Sequence, residues 1–172
     1  MRLFLLLFIA VFAFAKEPHH IKLVDNLDRK SDGYCLDVLG SGRYIRYDMP
    51  LQGHNCKPGL YADEAFVFEN EQIYSPVTNM CVTIAGVNNS VLDYTPLVLQ
   101  PCSLDSAFVN AKFMQAFEFT KNQKIKHKYS DMCLEMGESS DSTFSKEHTW
   151  RTLYMKNCDK VDTARSTWKF DS

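Results

Sequence analysis

Cys35-Leu36-Asp37-Val38, Cys81-Val82-Thr83-Ile84 and Cys133-Leu134-Glu135-Met136 are three versions of one tetrad: a cysteine, then an apolar, a polar and an apolar residue. Each is answered 21 to 25 residues later by a second cysteine, Cys56, Cys102 or Cys158. The second cysteines close strand-like runs, the clearest being Leu97-Val98-Leu99-Gln100-Pro101-Cys102. Beyond each comes an aromatic pair, Phe66/Phe68, Phe117/Phe119 or Trp168/Phe170, and the first members recur every 51 residues. The first two pairs are followed by Ile73 and Ile125 in the similar contexts N-E-Q-I and N-Q-K-I. A fixed period of this length marks internal structural repeats. Within each repeat, apolar and polar residues alternate over short runs bounded by Gly, Asn, Asp, Ser and Pro, which is strand periodicity. Helical spacing is sustained nowhere, so the chain reads as all-β, with about four strands per repeat and about twelve in all.

The cysteines extend this reading. Six cysteines admit about fifteen pairings. Equivalent units make equivalent bonds, which selects Cys35–Cys56, Cys81–Cys102 and Cys133–Cys158. Each bond closes a loop of moderate length, worth roughly 3 kcal/mol. No C-x-x-C knuckle occurs, so a zinc site is disfavoured.

An even set of bridged cysteines needs an oxidising compartment, and the amino terminus agrees. Arg2 precedes the apolar run Leu3 to Ala15, which ends on Ala13-Phe14-Ala15 and turns polar at Lys16-Glu17-Pro18. This is the pattern of a secretory signal peptide over residues 1–15. The run of thirteen residues is too short to span a bilayer. The expected mature domain, 16–172, carries 18 basic and 21 acidic side chains. That balance excludes a generic nucleic-acid binder, and the 45% hydrophobic content excludes a disordered chain.

With three tetrads, paired cysteines and aromatic elements in register, the chain from about Ile21 to Phe170 resembles the ricin B-chain-type lectin domain. The resemblance implies a β-trefoil of three pseudo-symmetric subdomains and a carbohydrate-binding role. The family's Q-x-W element is degraded to Glu64-Ala65-Phe66, Gln115-Ala116-Phe117 and Ser166-Thr167-Trp168. Those aromatics preserve a core position without preserving sugar binding.

The resemblance also assigns candidate site residues. Sugar recognition needs polar groups that match the hydroxyls and a flat ring for the apolar face of the pyranose. In the first repeat Asp37 stands at the acceptor position, Gln52 at the glutamine, His54 at the ring and Asp63 at the asparagine. Tyr44 and Tyr47 offer alternative rings. Asp63 brings a second carboxylate toward Asp37, an arrangement in which one group holds a proton or a cation is recruited. A Ca²⁺ site is disfavoured because no recognisable binding loop is present. The competing reading is that Asp37 only orders its loop.

The second repeat has Thr83, Val98 and Gln100 at these places and reads as structural. The third has Glu135 with Tyr154 and Lys156, followed by a long polar loop carrying Trp150. Glu135 and Trp150 are therefore a candidate second site, set against the reading that Trp150 plugs the base of its loop.

Other features carry less. Lys124, Lys126 and Lys128 form a basic strand face, read as solvated more than as a contact for anionic glycans. Asn88-Asn89-Ser90 is a glycosylation sequon. His19-His20 reads as a flexible terminus. No G-x-S-x-G or H-E-x-x-H motif occurs, and the separation of function from catalysis is reinforced by cysteines already spent in bridges. The expectation is a secreted, non-enzymatic lectin-like module for galactose-like glycans, with neither cofactor nor metal. The alternative is a trefoil that has lost sugar binding and acts as a protein-interaction or inhibitor module.

Overall fold

The computed structural model describes residues 17–106, 109–143 and 145–171. The expected signal peptide lies outside the described residues. The first unit contains β1 (His20–Leu23), β2 (Tyr34–Asp37), β3 (Gln52–Asn55) and β4 (Val67–Glu69). The second contains β5 (Gln72–Ser75), β6 (Met80–Ile84), β7 (Thr95–Pro101) and β8 (Phe117–Phe119). The third contains β9 (Ile125–His127), β10 (Met132–Met136), β11 (Asp141–Ser142), β12 (Thr149–Asn157) and β13 (Trp168–Asp171). The strand beyond the expected twelve is β11, a two-residue piece of the long third loop that pairs with β12.

The pairing recurs in every unit. The tetrad strand forms a hairpin with the strand that follows: β2–β3, β6–β7 and β10–β12. It also pairs with the opening strand of its own unit. The last strand of each unit pairs with the first strand of the next, as β4–β5, β8–β9 and, closing the circuit, β13–β1. At the centre β12 pairs with both β3 and β7, so that strands from all three units lie side by side.

The core follows from the repeated pattern. Ile21, Ile73 and Ile125 are completely buried, as are Leu36, Val82 and Leu134 from the tetrads and Phe66, Phe117 and Trp168 from the aromatic elements. Each aromatic is pinned identically, its backbone N–H donating to the carbonyl of His19, Glu71 or Gln123, two places before the isoleucine. Trp168 adds an indole N–H bond to the carbonyl of Leu134, 3.1 Å away. Gly53 on β3 admits the thioether of Met136 from the third unit, whose Cε lies 2.3 Å from where a Cβ would stand.

The three disulfides join Cys35–Cys56, Cys81–Cys102 and Cys133–Cys158, as repetition predicted, with Cα separations of 5.0, 4.9 and 5.0 Å. Among the described residues no helix is long and apolar enough to cross a membrane.

Two expectations are corrected. Single-turn helices α1 (Ala111–Met114) and α2 (Thr163–Ser166) stand just before β8 and β13, capped by the side chains of Asn110 and Asp162. A four-residue turn is too short to imprint a helical period on the sequence, so only its cap was there to be read. His19-His20 is not a loose end. His19 exchanges backbone hydrogen bonds with Phe66, and His20 opens β1.

Candidate functional site

The polar places of the first and third tetrads, Asp37 and Glu135, are the ones expected to face a ligand, whereas Thr83 in the second reads as structural. Asp37, Thr83 and Glu135 are all at most 1% exposed. Burial of a polar group requires partners, and the sequence supplies them differently in each unit.

In the first unit, β2 and β3 set Asp37 directly opposite Gln52. The Gln52 amide Nε2 donates to Asp37 Oδ1 at 2.8 Å. Lys57, immediately after Cys56, turns its ammonium inward and donates to Asp37 Oδ2 at 3.1 Å and to Asp63 Oδ2. It also lies 3.6 Å from Glu64 Oε1. Glu64, fully buried, accepts the Lys57 backbone N–H at 3.1 Å and faces His20 Nε2 at 3.2 Å.

One ammonium thus faces three carboxylates. Burial pushes the Asp37 carboxyl up to about 8, with Glu64 and Asp63 adding to a rise that Lys57 and Gln52 only partly offset. Burial works against the charge of Lys57, yet Asp37, Asp63 and Glu64 hold its pKa above the ordinary lysine value. The excess negative charge therefore favours a proton on Asp37 while Lys57 remains an ammonium.

His54, expected as a platform, is 8% exposed. Its Nδ1 lies 3.0 Å from the carbonyl of Asn55, and burial lowers its pKa. The exposed His148 ring stands 5.8 Å from that of His54. Tyr44 and Tyr47 are not brought to this cluster. Tyr44 packs against Arg43, and Tyr47 lines a separate depression with Val77, Thr78 and Met80.

Donor atoms of Asp37, His54 and Glu64 lie within 4.8 Å of one another, a spacing that suits a cation. The Lys57 ammonium stands among them and supplies the positive charge a metal would bring. A second such group includes Cys35, whose sulfur is committed to a disulfide.

The other units solve the same problem with other chemistry. Gln115 reaches Thr83 Oγ1 at 2.9 Å and accepts from the Ser103 backbone and from Gln72. Glu135 is held between Lys156 at 3.3 Å and Arg165 at 3.1 Å. Among the described residues no contact joins Glu135 to Trp150. The second-site pairing is thus two separate features, a sealed carboxylate and an aromatic ring lining a groove.

Sequence reasoning missed Lys57, Glu64 and Arg165 as partners of the acidic positions. A signal existed: Lys57 follows Cys56 as Ser103 follows Cys102, and both backbones bond the first residue of the degraded Q-x-W element. The basic row is accounted for by pairs within the chain, Lys124 with Ser166, Lys126 with Asp131 and Lys128 with Glu71.

The surface above the first cluster is a polar cleft of about 570 Å³, lined by His20, Asp32, Asn55, Lys57 and His148 among others. Two solved structures share the overall fold. The mdaA-1 domain, determined in solution, is 17% identical at a TM-score of 0.61, covering 92% of this chain and 91% of that one. The C-half of the earthworm R-type lectin, in complex with GalNAc, is 13% identical at a TM-score of 0.58, covering 91% of this chain and 99% of that one. The likeness is one of fold. No protein-family model matches the sequence, and no curated protein does.

Proposed function

We propose that the protein is a secreted, non-enzymatic β-trefoil module that binds carbohydrate, with its main site in the first repeat. Three disulfides and the amino-terminal apolar segment support secretion. The recurring strand pairing and the likeness to the earthworm lectin half support the trefoil. The observation that carries the functional reading is the convergence of Asp37, itself bonded by Gln52, and Asp63 on Lys57, whose side chain is 20% exposed at the polar cleft. Asp37 acts here as an anchor more than as a direct acceptor. It fixes Gln52 and Lys57, and the third ammonium proton, whose contact with Glu64 Oε1 is a long 3.6 Å, can be shared with a hydroxyl or ring oxygen of a galactose-like sugar. His148, beside His54, is an exposed ring lining the cleft, and the buried His20 lines it as well.

A glycan array probed with wild type, Asp37→Ala and Lys57→Gln tests this. Galactose-type binding that both variants lose, while their circular dichroism stays native, is the expected result. Binding that survives in both removes the site assignment. A second reading, a trefoil that recognises a protein, is favoured by the sealing of Asp37 and Glu135 beneath cations of their own chain. Absence of any glycan signal at millimolar ligand is its expected result.

A further inference from the structure

We infer a second saccharide-binding site, separate from the polar cleft, in the groove where strands from the three repeats meet. β12 pairs with β3 on one side, Thr152 opposite Gln52, and with β7 on the other, Tyr154 opposite Pro96. Along β12, Arg151, Leu153 and Met155 are buried at 6%, 3% and 0% exposure. The alternate residues Trp150, Thr152 and Tyr154 share the opposite face by strand periodicity. With Tyr94 and Gln52 they line a groove of about 640 Å³.

Three properties specify the occupant. None of the lining residues is Asp, Glu, Lys or Arg, in a protein with 23% charged residues, so the groove matches an uncharged partner. Its rings are large and grouped, with Tyr94 and Tyr154 centroids 5.0 Å apart and Trp150 in the same wall. Among the described residues, no protein hydrogen-bond partner accompanies the Trp150 indole N–H or the two tyrosine hydroxyls. Flat apolar faces edged by free donors are the complement of a neutral pyranose, which offers a C–H face and a rim of hydroxyls.

The backbone indicates that Tyr94 is held for a purpose. Its φ of +69° is in the left-handed region, which a bulky residue seldom adopts. The conformation is maintained by its turn: Tyr94 N–H donates to Met155 O at 2.8 Å, and Asp93 Oδ1 accepts from Asn157 N at 2.8 Å. A strained turn thus presents a ring that is 63% exposed at the edge of the groove.

This inference rests on the carbohydrate reading, and its test separates the two. The protein has two tryptophans, Trp150 in the groove and Trp168 buried with its indole bonded to Leu134. Titration of ¹⁵N-labelled protein with lactose, N-acetylgalactosamine and chitobiose is followed at both indole N–H signals and at the Asn55 and Lys57 amides. The groove predicts a saturable shift of the Trp150 indole signal with Trp168 unmoved. Tyr94→Ala should weaken that response roughly two- to tenfold, while Lys57→Gln leaves it unchanged. Shifts confined to Asn55 and Lys57, lost in Lys57→Gln and retained in Tyr94→Ala, overturn the groove and keep the cleft. A Trp150 response indifferent to Lys57→Gln, with no response at the cleft amides, keeps the groove and removes the cleft. Silence at both positions overturns both.

Discussion

At the scale of single residues, the decisive substitutions are those around one ammonium. Asp37 has a folded-state pKa of about 8 against an ordinary carboxylate value of 3.8. Between these values the native state holds a proton that the unfolded chain has released. The stability from this residue is therefore fully present below about pH 4 and is lost as pH rises toward 8. Asp37→Asn removes that proton exchange while keeping the shape. Urea unfolding measured from pH 4 to pH 8 should show a flatter pH dependence for the variant than for wild type, and identical slopes would contradict the assignment of the proton to Asp37. The resemblance grouped Asp37, Gln52 and Asp63 in advance, because Asp37 and Gln52 stand at fixed offsets from the cysteines and Asp63 just ahead of the degraded Q-x-W element. It did not display their sealing, since Lys57 and Glu64 look like ordinary surface charges until the fold turns them inward.

At the scale of elements, each unit is a hairpin closed by a disulfide and plugged by an aromatic. Trp168 is fully buried and also bonds Leu134 O. Trp168→Ala should cost about 3–5 kcal/mol. Trp168→Phe should cost less, but not nothing, because it leaves the carbonyl without its donor. Chemical denaturation of the two variants gives the order, and a Trp168→Phe variant as stable as wild type would show that the indole bond contributes no measurable stability. The hairpins and disulfides were legible in advance because strand alternation and cysteine spacing are local signals repeated three times. The one-turn helices were not, because their length is set by the packing of the chain into β8 and β13. The grouping of Trp150, Tyr94 and Tyr154 was equally hidden, since it depends on β12 lying beside two strands distant in sequence.

At the scale of the whole molecule, the circuit of units closes through β1 and β13, with His20 opposite Asp171 and Leu23 opposite Trp168. The turn at Asn70 and Glu71, between β4 and β5, occupies the same place in the pattern as this junction between first and last strands. The fold therefore has no privileged starting point. A circular permutant that links Asp171 to His19 through a short Gly/Ser segment and opens the chain at Asn70–Glu71 should retain all three disulfides and unfold in one cooperative transition. Non-reducing peptide mapping and thermal denaturation would check this, and scrambled bridges would show that synthesis order matters to pairing. A tandem copy, fused where the first and last strands meet, would double the proposed glycan sites on one chain, and avidity for a multivalent glycan surface would then rise, with linker length as the only new variable.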